Sequence, residues 1–362
     1  MKKVYPSYYK EFQCTASECS DNCCIGWEID VDKETLKKYR KMQRKAKIPI
    51  LTHIDRSGDN PHFILTENQR CPFLDEQNLC VLQAEIGEEA LCEICRLHPR
   101  FINRYGNRWE YGLDMCCEEA AGLILSQQKF PAFIEEEVRE KQRNIRKKKE
   151  DLAGLDMYLF CRNRILDYVS HCEESISKIA EQILAYCDII EEQIIQKKAD
   201  IDLKTLHVEN CEVTRTYPIV DPTKDYYKTC IQFLRKQIPL SISWHNFLAD
   251  VEYDLDEIYK DKTAFTKQYP YYKEHGKQLL YHYIYRYGIE GIWMERIYAE
   301  YFVAVFFVQI IELLDVAWYH YHGTFSFADQ IYLCTRMAKE IEYSEENLEA
   351  LLCFGDLGGE VV

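Results

Sequence analysis

Ten of this chain's seventeen cysteines fall within its first 117 residues, and the stretch "FQCTASECSDNCCIGWEID" (Phe12–Asp30) holds four of them, two adjacent. Cysteines at that density are disulfide staples, zinc ligands or thiolate ligands of an iron–sulfur cluster, and each choice fixes a different small fold. Seventeen is odd, so complete internal pairing is impossible. The start, "MKKVYPSYYKEF", is basic but has no apolar stretch behind it, so a secretory signal is not expected. The longest apolar run, Tyr301–Trp318, carries Gln309, Glu312 and Asp315 every third residue. It reads as a buried helix with one polar stripe, and no membrane insertion is expected. We therefore expect a cytoplasmic protein whose thiols stay reduced, where clustered cysteines more often hold metal than pair.

The ten early cysteines form three groups. In Cys14, Cys19, Cys23 and Cys24, the second and third share a face if the stretch is helical. Cys23 and Cys24 both face a metal only if a tight turn lies between them. Asp32 is a plausible cap for the helix that "DKETLKKYRKMQRK" opens, after "GWEIDV", which alternates like a short strand. In "CPFLDEQNLCVLQ" a turn at Asp75–Asn78, with Glu76 and Gln77 as its loop, sets Phe73 opposite Cys80 and returns Cys80 beside Cys71. In the third group, Cys92 and Cys95 form a CxxC, and Gly106-Asn107 closes a hairpin between "RFINRY" and "RWEYGL". Counting outwards, Tyr105 faces Arg108 and Phe101 faces Gly112, so the hairpin's ends bring Cys95 towards Cys116. Zinc with four thiolates, zinc with help from His53, His62 or His98, and an iron–sulfur cluster all fit this spacing.

The stretches "YPSYYKEFQCTASECSDNCCIGWEIDVD", "CPFLDEQNLCVLQAEIGEEAL" and "CRLHPR…YGLDMCC" together resemble the flagellin lysine-N-methylase family. That family is similar in turn to cysteine-rich zinc- or iron-chelating domains. The resemblance covers residues 5–122 with specific motifs, and the helical remainder only in character. It implies methyl transfer from S-adenosylmethionine to lysine side chains of flagellin or another lysine-bearing protein, dependent on a [4Fe–4S] cluster. The cysteines it singles out are Cys14, Cys19, Cys23, Cys24, Cys71, Cys80, Cys95 and Cys116, with Cys92 and Cys117 as weaker matches. Eight exceed the four that one cubane needs, so either two metal sites exist or half of these cysteines are structural. Arg100, after the family's "PR", is a candidate for the S-adenosylmethionine carboxylate, against a plain structural ion pair. No Gly-rich loop follows a predicted strand, and Cys19-x₃-Cys23 lacks the third cysteine of a radical CxxxCxxC triad, so no catalytic residue is named. The alternative is a non-enzymatic zinc- or iron–sulfur-binding module or carrier.

The rest of the chain reads as helical. We expect a mainly α protein: a Cys-rich α+β module with short hairpins, residues 1–125, packed on an all-helical body, residues 126–362. Phe133–Leu152 reads as a charged, exposed helix and Ser175–Gln196 as an amphipathic one. Pro218 and Pro222 mark a possible internal boundary within 205–225. Helical turns crowded with Tyr, His and Arg make Tyr283, Arg286 and Tyr287, with His282, candidates for a lysine-binding aromatic cage, against an ordinary packing face. The seven later cysteines read as small buried hydrophobes. The formal charge of −15 is concentrated after residue 130, at −13 against −2 before it. Nucleic acid is thus an unfavoured partner and a lysine-presenting protein a favoured one.

Overall fold

Gly106, at φ +54°, turns the predicted hairpin. In the computed structural model Tyr105 pairs with Arg108 and Phe101 with Gly112, the expected register. A Cβ on Gly112 would lie 2.1 Å from the Phe101 ring, so only glycine lets that ring cross the neighbouring strand. The structure describes residues 1–362 except 21, 28, 43–47, 59, 68, 139–153, 197–201, 289, 293 and 360–362.

In chain order the N-terminal part comprises β1 (Lys2–Pro6), α1 (Lys33–Met42), β2 (Ile54–Asp55), β3 (His62–Phe63), α2 (Val81–Glu85), α3 (Glu93–Leu97), β4 (Arg100–Tyr105), β5 (Arg108–Leu113), α4 (Glu118–Leu125) and β6 (Phe133–Glu137). The hairpin β4–β5 grows into a four-stranded sheet of order β4-β5-β1-β6, with β1 parallel to β5 and antiparallel to β6. Residues 133–137, expected to open a helix, form an edge strand instead, and residues 139–153 of that expected helix lie outside the described residues. The acidic run finds lysines on β1 and just after it, with Glu135 on Lys2 and Glu136 on Lys10. The partner strand is some 130 residues away in sequence, so no local pattern could show the pairing.

Asp32 caps α1 as expected, its carboxylate accepting from Thr35 N at 2.9 Å, and it also accepts from Glu93 N at 2.9 Å. It thereby clamps α1 to α3 in a small core of Ile29, Val31, Leu36, Tyr39, Ile50, Ile54, Phe63, Phe73, Leu82 and Ala90, to which Cys71 and Cys92 also belong.

The helical body follows: α5 (Leu155–His171), α6 (Ile176–Ile194), α7 (Lys224–Arg235), α8 (Ile242–Tyr253), α9 (Leu255–Gln268), α10 (Tyr272–Tyr287), α11 (Ile297–His322), α12 (Phe327–Glu342) and α13 (Glu345–Asp356). Ser175, Thr223, Ser241, Ser326 and Ser344 cap α6, α7, α8, α12 and α13 through their hydroxyls. The proline segment does not interrupt the core: Tyr217, Ile219 and Val220 are buried in it, and Gln309 donates to Val220 O at 2.9 Å. α11 is long and apolar enough to cross a membrane, but 89% of its apolar window is buried inside the protein, as for a core helix. Five of the seven later cysteines are buried, while Cys172 is half-buried and Cys353 exposed.

Asp315, on the polar stripe of α11, is 3% exposed and its Oδ1 has no hydrogen-bond partner. Burial pushes its carboxyl well above the usual range. A carboxyl raised in the folded state costs stability increasingly as pH rises past its unfolded value. Asp315→Asn is therefore expected to stabilise the protein, by more at pH 8 than at pH 4, in urea unfolding at the two pH values. An equal effect at both would mean that Asp315 is ionised in the fold.

Candidate metal-binding cavity

Where the sheet, the small core and the start of α4 meet, a cavity of about 360 Å³ is lined by nine cysteines: Cys14, Cys19, Cys23, Cys24, Cys71, Cys80, Cys92, Cys95 and Cys117. Their placement follows from local geometry. The Asn22 carboxamide accepts from Cys24 N at 2.8 Å, and the resulting turn lets Cys23 and Cys24 both reach the wall. Cys19, expected on a helix with Cys23, instead follows a single 3₁₀ turn in extended backbone and still reaches the cavity. The loop after Cys71 is longer than expected. The Asp75 carboxylate accepts from Gln77 N and Leu79 N, Asn78 takes φ +60°, and Leu74 rather than Phe73 pairs with Cys80. Cys92 caps α3 and Cys95 lies one turn on, their sulfurs 3.1 Å apart.

Cys116 is the exception among the sequence candidates. Its 1%-exposed thiol packs in the larger core beside Asp114, Glu342 and Tyr343, and its neighbour Cys117 reaches the cavity. Cys117 has extended backbone, in which adjacent side chains point apart, so the hairpin's register alone does not tell which of the two faces Cys95. Of the three candidate histidines only His98 lines the wall. Arg100 lines it too, over the rings of Phe12 (4.9 Å) and Tyr9 (5.9 Å).

Burial pushes the Cys71 and Cys117 thiols up to about 12, and raises Cys80 and Cys19. In each close pair the hydrogen bond between sulfurs splits the two: Cys23 and Cys92 are lowered, Cys24 and Cys95 raised. One proton leaves such a pair readily and the second is held. Four thiolates together need a cation, whose binding would expel protons. The donors, nine sulfurs with one imidazole and the Glu88 carboxylate, suit a soft, thiolate-ligated centre. Among the described residues, no three His, Cys, Asp or Glu side chains converge on a point that one ion would occupy.

Tyr283 and Tyr287 do not form a cage. They are 0% and 2% exposed, Tyr283 stacks on Phe307 at 4.2 Å, and Arg286 lies between Phe101, Asp114 and Glu342. His282 is likewise buried, and burial pushes its imidazole down to about 4. Within this run the residues that line open space stand earlier, and Phe327 joins them there. Tyr269, Tyr271, His275 and Phe327, with Glu274, border a groove of about 530 Å³ at the far end of α4 from Cys117. Pro270 ahead of α10 was the signal that these residues sit at a helix start rather than in its packed middle.

The family model described as FliB lysine N-methylase C-terminal domain matches residues 159–354. The chain belongs to this family. The match falls on the helical body, which carries no short motif, and on none of the cavity's cysteines. Among FliB relatives, the flagellar biosynthetic protein FliU of Salmonella muenchen is 34% identical over 128 residues, 33% of this chain and 75% of that protein. Proteins named lysine-N-methylase from Salmonella choleraesuis and Salmonella typhimurium are each 32% identical over 139 residues, 37% of this chain. Those alignments span 35% of each lysine-N-methylase's own length. No solved structure matches.

Proposed function

We propose that this protein is a cytoplasmic lysine N-methylase that moves a methyl group from S-adenosylmethionine to lysine side chains of a protein substrate, flagellin above all, and depends on a [4Fe–4S] cluster held by cavity cysteines. The observation that carries this reading is the nine-cysteine cavity in a chain of the FliB family. The cluster would supply redox or Lewis-acid chemistry at the cavity. The protein's own part is to enclose it, to neutralise its charge with Arg96 and Arg100, and to hold the donor at the mouth, where the Arg100 guanidinium suits a carboxylate. The sheet offers no Rossmann-type alternative for the donor: among the described residues its one parallel pair, β1 with β5, is joined by no single crossover helix. The groove beside Glu274 lies about 12 Å from Cys117, the length of α4 at 1.5 Å per residue. At that distance it would take a flanking part of the substrate rather than the reacting lysine. The acceptor amine must lose its proton before it attacks, which desolvation against the cavity's aromatic wall favours.

The test is an anaerobic preparation incubated with flagellin and methyl-labelled S-adenosylmethionine. Label on flagellin lysines, found by peptide mass spectrometry and absent without the metal, is expected. Full metal content with no transferred label would leave a metal-binding carrier or scaffold instead.

A further inference from the structure

Nine thiols are too many for one cubane, and their surroundings divide them. Cys71 and Cys92 are members of the small core, and Cys24, Cys80 and Cys95 pack directly against it. These five are neighbours of one another, and Cys23 borders them: Cys95 senses Cys92, Cys24 and Cys71, while Cys71 senses Cys80, Cys92 and Cys23. Cys117 packs instead on the larger core, and its sulfur neighbours are Cys19 and Cys23. Cys19 in turn has Cys14 and Cys23. The loop bearing these residues is pinned to both sides. Ser20 donates through N and Oγ to the Glu118 carboxylate at the start of α4 (2.6 and 2.5 Å), and Asn22 Nδ2 donates to Asn78 O (3.1 Å) in the small module. Trp27 donates to Cys23 O at 2.5 Å and stacks at 4.2 Å on Tyr343, which follows α12.

We infer that the cavity holds two four-thiolate centres. An inner one, on Cys71, Cys80, Cys92 and Cys95, lies inside the small core. A seam one, on Cys14, Cys19, Cys23 and Cys117, joins that module to the helical body, and the hydrogen-bonded pair Cys23–Cys24 stands where the two sets meet. This rests on the metal reading above and deepens it. The inner set is built from the loop after Cys71 and the CxxC, and it staples a core too small to stand alone. The seam set includes the exposed Cys14 and is the one an external ligand can reach.

The test counts metal and acid-labile sulfide per chain in the anaerobically purified full-length protein and in Cys14→Ser/Cys19→Ser, whose altered side chains lie outside both cores. Two cubanes give about eight irons in the parent and about four in the variant, with the remaining centre's electron-paramagnetic signal unchanged after reduction. The inner variant Cys71→Ser/Cys80→Ser, if it folds, loses the complementary half. About four irons in the parent, with no other metal, would overturn the division while leaving a cluster-dependent enzyme. So would a seam variant that keeps the full count. Two zincs in the parent and one in the variant would uphold the division and overturn the iron assignment, and a metal-free, sulfide-free parent would overturn both.

Discussion

Arg162→Met is expected to cost about 3–5 kcal/mol of folding stability, the usual effect of orphaning a buried charge. Arg162 and Glu110 are 1% and 0% exposed and form a two-pronged ion pair, both bonds 2.7 Å, between α5 and β5. This pair joins the sheet to the helical body, and Arg108 adds a third bond to Glu110 at 2.7 Å. Burial alone would push the Glu110 carboxyl up, but the two guanidiniums outweigh it and hold it below its usual range. In the parent that depression contributes stability above the unfolded carboxylate value, and the contribution is lost as pH falls through the folded one. Without Arg162 the burial effect gains ground, so the carboxyl moves up and can protonate. The deficit of the variant should thus be clearly smaller at pH 4 than at pH 7 in chemical denaturation. Adding Glu110→Leu should recover part of the loss, because an apolar pair often replaces a buried ionic one at little cost. A deficit below about 1 kcal/mol at pH 7 would mean that water reaches the pair.

On the proposed metal reading, stripping the metal is expected to unfold the small core and leave the helical body standing. The twelve buried residues of that core include two thiols, Cys71 and Cys92, so on the metal reading its few apolar side chains are held together in part by ligation. For small metal-stapled modules, binding free energy is folding free energy, on the order of 10 kcal/mol for structural zinc. Limited proteolysis after chelation or oxidative bleaching should therefore cut within residues 24–97, while a fragment spanning α5 to α13 persists with its helical circular dichroism. Identical digestion patterns with and without metal would show that the thiols carry no structural load.

How much of this was legible beforehand differs by element. The hairpin register came out residue for residue because Gly106-Asn107 is a local signal and the pleat has a fixed period. Ser175 at the start of α6, Asp32 at the start of α1 and the polar stripe of α11 were readable for the same reason. The loop after Cys71 slipped by one residue because an Asp75 side chain took over two backbone donors. The strand at residues 133–137 was misread as a helix because its stabilising partner is β1. Tyr283 and Tyr287 had the composition of a cage and the environment of a core.

The sequence by itself determined that a cysteine-rich module with short hairpins precedes a long helical body, because capping, turn chemistry and apolar period act within a few residues of one another. Only the tertiary structure decided that nine thiols share one cavity and that Cys117 rather than Cys116 is among them. Those outcomes depend on which way a side chain faces after several turns of chain and on packing between segments a hundred residues apart, and no local pattern encodes either.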